Sequence, residues 1–233
     1  MVYIEGLLDG LTSALIVFSS IGFGLFTLFK SIKLKAKLLT IAGFTMIFVG
    51  FLWLGPTIDL IFLLLGLGNI TPYETYAILS YLWVAPALLF AIYLGGELLV
   101  PKKKWILFEI YLMLGAAFEF LLWFDTAASF RLLEPSTPGQ TIIDASFNTS
   151  HPTFILIAIF LVSALFFLGI GFAIKAKQST GVLRKKFIYL SVGFIIFVLS
   201  GALDSIIKLN VAVWIIRVVM SSFAVWMYLG LKT

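Results

Sequence analysis

Four ionisable residues that could do chemistry lie at or inside the ends of strongly apolar stretches: Glu119, Asp125, Asp204 and Arg217. Charged side chains are rare in apolar spanning segments because each costs about 2.5–3.5 kcal/mol at the centre on insertion scales. A carboxylate can pair with a guanidinium or exchange a proton, and a guanidinium can bind an anion. Two interpretations therefore stay open: a structural ion pair, or a polar pocket in which Arg217 holds an anionic ligand or a carboxylate titrates.

Three aromatic residues, Tyr81, Trp83 and Trp214, could line such a pocket and complete a candidate ligand-binding set. The chain has no stronger catalytic pattern. It has no cysteine, its single histidine, His151, has no ligand cluster, and no Walker loop or Ser/His/Asp motif is recognisable. We therefore expect no enzyme, no metal and no cofactor.

The composition indicates the scaffold that must position these residues. Hydrophobic residues make up 62% of the 233 residues and charged residues 12%. Soluble domains have about 45–50% apolar and about 25% charged residues. A soluble core of this size could not bury so much apolar surface. We predict an integral membrane protein, with the lipid bilayer as its first partner and the plasma or cell membrane as its location.

Seven stretches reach the roughly 20 apolar residues that a spanning helix needs. They are 11–29, 37–56, 76–100, 104–125, 152–174, 186–207 and 211–230. Helices are expected because every backbone N–H and C=O must be satisfied inside lipid. The predicted fold is therefore a single all-α membrane domain over 1–233 with seven transmembrane helices. Pro56 should end or kink the second span, and Pro86 should kink the third.

The cations concentrate in alternate loops, which predicts the orientation. Three loops and the C-terminal residues carry 13 of the 16 Lys and Arg residues, whereas the other side has Arg131 and Lys208. By the positive-inside rule the N-terminus lies outside and the C-terminus is cytoplasmic. The basic loops could meet anionic lipid or a cytoplasmic effector chain, and we expect no nucleic acid. The candidate interface residues are Lys102, Lys103, Lys104, Arg184, Lys185 and Lys186.

The longest loop, residues 126–152, is polar and rich in turn residues, and it lies on the predicted outer side. A loop of this length is more often functional or disordered than a plain connector. Two glycosylation sequons, at Asn69 and Asn148, also fall in predicted outer loops. Their position agrees with the orientation, because glycan acceptors lie outside.

The two halves of the chain carry similar short motifs, which suggests an internal repeat. Gly-Phe-Gly at 22–24 and Gly-Ile-Gly at 169–171 each precede a basic loop and a second Gly-Phe-containing helix. Chance similarity is a competing explanation in a chain this rich in Phe and Gly. Units 11–100 and 152–231 about a linker helix at 104–125 would give a 3+1+3 plan of parallel repeats.

This layout resembles that of sugar-efflux and PQ-loop transporters, although no Pro-Gln pair occurs in the chain. It also resembles microbial rhodopsins, which bind retinal through a Lys in the seventh helix. Residues 211–231 contain no Lys, so a retinal photoreceptor is excluded. A third resemblance is to the seven-helix sensor modules of prokaryotic signalling proteins.

Three functions follow from these observations. A receptor or sensor with an outward-facing polar cavity is favoured, because the polar groups within the helices concentrate on the predicted outer side. The alternative is a small secondary transporter or ion-coupled carrier, which needs a site near the midplane that both faces can reach. A scaffold subunit of a membrane complex is the third. The ligand and the oligomeric state stay open.

Overall fold

The structure is a computed structural model that describes residues 2–135, 137–207 and 211–232. It is 81% helical. Six helices are long and apolar enough to cross a membrane, and a bent pair of helices provides a seventh span if the pair counts as one. The prediction of a helical membrane protein is thereby confirmed, while the orientation and the 3+1+3 repeat stay predictions. Lys208, one of the two cations predicted on the outer side, lies outside the described residues.

The helices of the first half account for the first four predicted spans. They are α1 (Ile4–Leu34), α2 (Lys37–Phe51), α3 (Leu54–Leu64), α4 (Tyr73–Tyr81), α5 (Val84–Leu99) and α6 (Lys104–Phe124), with a 3-10 turn at Pro101–Lys103. The span predicted at 11–29 is longer at both ends. Because α1 begins at Ile4, the acidic residue Asp9 falls inside a helix rather than before it.

The second half contains a hairpin and the remaining helices. Its elements are α7 (Thr126–Ser129), β1 (Phe130–Leu133), β2 (Asp144–Phe147), α8 (Pro152–Ser163), a π-helical turn (Ala164–Ile170), α9 (Gly171–Gln178), α10 (Gly181–Ile206), α11 (Val211–Ser221) and α12 (Phe223–Leu231). With α2 and α3 taken as one span, each span packs against the next, and α11 and α12 return to α1. The spans therefore form a closed ring in chain order.

A stripe of small and polar residues on α1 sets its closest contacts. Buried positions along this helix recur at helical spacing, at Gly6, Gly10, Ser13, Val17, Ser20, Gly24, Thr27 and Ser31. Small side chains allow helices to approach closely in lipid. A Cβ added at Gly24 would lie 2.5 Å from Cγ1 of Ile47 and 3.0 Å from the carbonyl oxygen of Gly43. The two backbones of α1 and α2 therefore come nearly into contact.

Two spans are interrupted just before a proline. Pro56 has no N–H for the carbonyl oxygen of Leu52, and the helix breaks there. Trp53 instead donates its N–H to the Gly50 carbonyl at 3.2 Å, one residue closer than in a regular α-helix. The axes of α2 and α3 are bent by 53°. Pro86 follows a two-residue break between α4 and α5, but Tyr73–Leu99 still counts as one candidate span, so any kink there is smaller than the bend before Pro56.

Within residues 126–135 and 137–152 the structure has a short helix and a β-hairpin, whereas the composition of this stretch predicted a polar, turn-rich loop. Strands β1 and β2 pair antiparallel, with Phe130 opposite Phe147 and Leu133 opposite Asp144. Phe130 and Ile143 are buried, which explains why the segment is ordered against the bundle. This two-stranded sheet is an exception to the all-α prediction. We call the end of the bundle that carries the hairpin the hairpin end, and the end with the three basic loops the lysine end.

Candidate functional site

Arg217 is the centre of a buried ion cluster at the hairpin end. Its Nε donates to Oδ1 of Asp204 at 2.8 Å, and its Nη1 donates to Oδ1 of Asp9 and to Oγ of Ser13, the latter at 2.9 Å. Only 7% of Arg217 and 4% of Asp9 is exposed. One guanidinium on α11 is therefore flanked by carboxylates from α1 and α10.

The partners of Arg217 are themselves held in place. The indole Nε1 of Trp53, at the break between α2 and α3, donates to Oδ2 of Asp204 at 3.3 Å. The hydroxyl of Ser13 donates to the carbonyl oxygen of Asp9 at 2.9 Å, while it accepts from Arg217. A buried ion pair needs such additional hydrogen bonds to offset the loss of water around both charges. The cluster thus joins four helices of the ring.

A cavity of about 120 Å³ lies beside this cluster. Asp204 and Arg217 form part of its wall, together with Asp144 on β2 and Tyr81 on α4. Strand β2 covers one side, so the hairpin and the helices enclose the cavity together. Its other polar and aromatic lining residues include Trp53, Tyr76, Ser80, Phe147, Phe197 and Ser205.

Asp144 is the carboxylate of the cavity wall that forms no ion pair with any described residue. It is partly buried, on the strand that covers the cavity. Burial raises the pKa of its carboxyl group, and the nearby positive charge of Arg217 offsets part of that rise, while Asp204 adds to it. A ligand that brings a hydrogen-bond donor or a positive charge to this carboxyl group would therefore stabilise its ionised form.

Asp59 fixes the strand that carries Asp144. Its side chain is fully buried, with 0% exposed. Its Oδ1 accepts from the backbone N–H of Ile70 at 2.8 Å, and its Oδ2 accepts from that of Ile143 at 3.0 Å. The amide of Asn69 donates to the same Oδ2 at 3.0 Å. Three N–H donors therefore satisfy this carboxylate and tie α3 to β2.

Asn69 extends the same network to the tip of the hairpin. Its Nδ2 also donates to the Thr141 carbonyl at 2.8 Å, and its Oδ1 accepts from the N–H of Gly139 at 2.8 Å. Gly139 has a φ of 77°, a left-handed conformation that glycine adopts without strain. The sequon asparagine thus has a structural role, although its sequence motif marked it only as a glycan acceptor.

Glu119 and Trp83 do not join the cluster of Arg217, although their positions near the predicted outer ends of their helices suggested that they would. They line a separate groove of about 490 Å³ between α5 and α6, together with Trp123. Neither the Glu119 carboxylate nor Trp83 Nε1 has a hydrogen bond of normal geometry within the described part of the chain. The backbone of Ala85 and the side chain of Trp123 do lie near the carboxylate.

Asp125 and Trp214 also lie away from the cavity wall. Asp125 Oδ2 is 3.2 Å from Nε2 of His151, and its side chain is 51% exposed. Trp214 Nε1 has no hydrogen-bond partner among the residues that are described. Asp204, Arg217 and Tyr81 are thus the predicted ligand-binding residues that the structure brings together. Position along a helix does not decide which side chains meet, because the rotation of each helix about its axis directs them.

The lysine end carries the second predicted set. Lys104 forms an ion pair with Glu97 at this end of the bundle. Lys102, Lys103, Arg184 and Lys185 are exposed, and Lys186 is partly exposed. Their contact with anionic lipid or an effector chain stays a prediction.

Asp9 and Asp144 were not predicted as site residues. Asp9 was placed before the first span, but it lies on the same face of α1 as the stripe of small and polar residues, directly beside Gly10 and four residues before Ser13. That stripe was the signal that could have placed Asp9 toward the neighbouring helices. Asp144 carried no such signal, because its position depends on the long-range pairing of the hairpin.

Comparison with known proteins finds no relative of this chain. No family model matches the chain, and no curated protein and no solved structure matches it either.

Proposed function

We propose that the chain is a membrane protein of the receptor or sensor type that binds a small ligand in the cavity at the hairpin end. The observation that carries this proposal is a cavity of about 120 Å³ walled by Asp204, Arg217, Asp144 and Tyr81. A concave site with a few convergent polar groups among apolar walls is the usual form of a small-molecule site. With the orientation predicted from the basic loops, the cavity would face outward.

The surroundings of the cavity favour binding of a ligand over transport of a polar solute through the protein. Toward the lysine end lies a second cavity of about 80 Å³, and every described residue that lines it is apolar. An ion or strongly polar solute would find no hydrogen-bond partner there and would lose its hydration. The exposed cations of the lysine end remain available for anionic lipid or an effector chain, as the sequence predicts.

Two glycine variants provide a matched test of ligand binding. A Cβ added at Gly201, on the cavity wall, meets no atom within 4 Å, and the same holds at Gly22 on α1 outside the cavity. Gly201→Leu should therefore fill cavity space without preventing folding, and Gly22→Leu serves as its control. The measurement is the thermal unfolding midpoint of the purified full chain in detergent with a panel of small molecules.

A ligand at about 100 times its Kd should stabilise the protein by about 2.7 kcal/mol. We expect such a ligand to stabilise the wild type and Gly22→Leu but not Gly201→Leu. If no compound stabilises the wild type, or if the cavity variant responds as well as the control, the cavity is not the ligand site.

A carrier is the second candidate, and the helix breaks favour it. The interruption at Leu52–Trp53 borders the cavity directly, and Tyr81 and Val84 flank the interruption between α4 and α5. Discontinuous helices form the substrate sites of several transporter folds. Reconstitution into liposomes separates the two functions: a receptor should show ligand binding without solute flux. Flux that Glu119→Gln abolishes would favour a carrier instead.

A further inference from the structure

The charges around the cavity are not balanced among the described residues. Asp9 and Asp204 both contact Arg217, and Asp144 provides a third carboxylate on the cavity wall. Arg217 is the only described Lys or Arg that lines the cavity. An incoming anion would meet a guanidinium that is already paired, and further carboxylates beside it. A cation would gain from the excess of negative charge.

Aromatic residues add to the preference for a cation. Trp53, Tyr76, Tyr81, Phe147 and Phe197 all line the same cavity. The ring of Tyr81 is held rigidly, with its centroid 4.6 Å from that of Phe130 and 4.7 Å from that of Phe147. Aromatic rings attract cations electrostatically, and groups of such rings are used to recognise ammonium ligands. Aromatic side chains, together with a carboxylate that forms no ion pair within the described part of the chain, therefore suit an ammonium group.

The second cavity, of about 80 Å³, lies toward the lysine end and shares part of its lining with the first. We call it the apolar chamber. The π-helical turn contributes Ala164 and Leu168 to its wall, and α5 contributes Ala87 and Ala91. An aliphatic chain placed there would be transferred out of water without desolvating a polar group of the lining. The residues that the cavity and the apolar chamber share are Leu52, Val84, Ile157, Leu161 and Phe197.

We infer that the ligand of this site is a small amphiphile with an ammonium head and a short, single aliphatic chain. The inference rests on the proposed function and names its ligand class. The head lies beside Asp144 and Asp204 among the aromatic residues, and the chain enters the apolar chamber. A single short chain is expected, because the apolar chamber measures about 80 Å³.

A homologous series of probes tests the class directly. Propylammonium to hexylammonium chlorides are titrated into the purified full chain in a non-ionic detergent, with empty micelles as the blank. Alkanols and alkanoates of the same lengths test the head group. Tryptophan fluorescence gives the Kd, because Trp53 lies in the cavity wall. Each added methylene should tighten ammonium binding about fourfold until the apolar chamber is full.

Two variants locate the head and the chain separately. Asp144→Asn should weaken ammonium binding about tenfold, whereas Glu5→Gln, which removes the same charge from an exposed position at the same end, should leave it unchanged. Ala164→Leu should shorten the longest chain that still improves affinity, without weakening propylammonium. An ammonium phospholipid added to the micelles should not compete.

The outcomes separate this inference from the proposed function. If alkanoates bind as tightly as alkylammonium ions, or if Asp144→Asn and Glu5→Gln behave alike, the ligand class is wrong but a ligand-binding cavity remains. Competition by the phospholipid, or affinity that does not depend on chain length, also overturns the class. If no probe binds and Gly201→Leu changes no ligand response of any kind, the proposed function fails as well.

Discussion

Asp59 and Asp204 are two carboxylates on candidate membrane-spanning helices, and the groups around them differ. The oxygens of Asp59 accept from three N–H donors, two of them on the backbone, and the side chain is fully buried. Asp204 accepts from the side chains of Arg217 and Trp53 and borders a cavity. Backbone donors cannot exchange partners without moving the chain, whereas side chains beside open space can. The first carboxylate is therefore structural, and the second is suited to respond to a ligand.

The largest effect should come from removing the cation of the Arg217 cluster. Arg217→Ala leaves Asp9 and Asp204 buried next to each other without a positive partner. Breaking a buried ion pair from one side costs about 3–5 kcal/mol. The free energy of unfolding in detergent measures this loss, with the exposed Arg131→Ala as the control, expected to stay within about 0.5 kcal/mol. Equal unfolding free energies for the two variants would contradict the role of the cluster.

The next largest effect should come from Asp59→Asn. The carboxamide keeps the shape but replaces one acceptor oxygen with an NH2 group, which must then face an N–H donor. A buried donor without a partner costs about 1–3 kcal/mol. Hydrogen exchange at the amides of Ile70 and Ile143 should rise together with the loss of stability. If exchange at these amides is unchanged, the carboxylate does not tie α3 to the hairpin.

A smaller effect, of opposite sign, is expected for Asp144→Asn in the absence of ligand. Burial raises the pKa of this carboxyl group in the folded protein, so its protonated form is favoured by folding. Its stabilising contribution is complete below the usual aspartate pKa of 3.8 and is lost as the pH rises through the folded value. The asparagine variant should thus be more stable than the wild type at pH 7, by less than Asp59→Asn destabilises the protein.

The pH dependence provides the check on that sign. The stability difference between Asp144→Asn and the wild type should shrink as the pH falls from 7 toward 4, because the wild-type carboxyl group becomes neutral. A difference that grows on acidification would mean that the ionised carboxylate is stabilised in the folded protein by an unseen partner.

The smallest effect should be that of Asp125→Asn. This exposed carboxylate pairs with His151 at the hairpin end, and exposed ion pairs contribute about 0.2–1 kcal/mol. The unfolding free energy, measured at low and at high salt, should differ little from that of the wild type. A loss of unfolding free energy as large as that of Asp59→Asn would show that the different exposure of Asp125 and Asp59 does not determine their contributions to stability.

The spans and the prolines could be predicted from the sequence because hydropathy and the missing proline N–H act locally. Depth along each helix was also predictable, and it correctly placed Asp204 and Arg217 near each other. The rotation of a helix about its axis depends on packing with other helices, and this rotation directs Glu119 into a different groove from Arg217. Asp144 reaches the cavity only through the pairing of two strands, which no local pattern in residues 126–152 specified.

The double donation by the Asn69 side chain has a consequence for sugar attachment. Both hydrogens of its amide nitrogen are engaged in the folded protein, to Asp59 and to Thr141. The side-chain amide of Asn148 donates to the Ala128 carbonyl in an exposed hydrogen bond, the one bond that it donates to any described residue. An oligosaccharide could therefore join Asn69 only before the hairpin closes over it, whereas Asn148 would remain a substrate afterwards. In a cell that attaches N-linked glycans, the fraction of chains with a glycan on Asn69 would report how long the nascent chain stays unfolded around this residue.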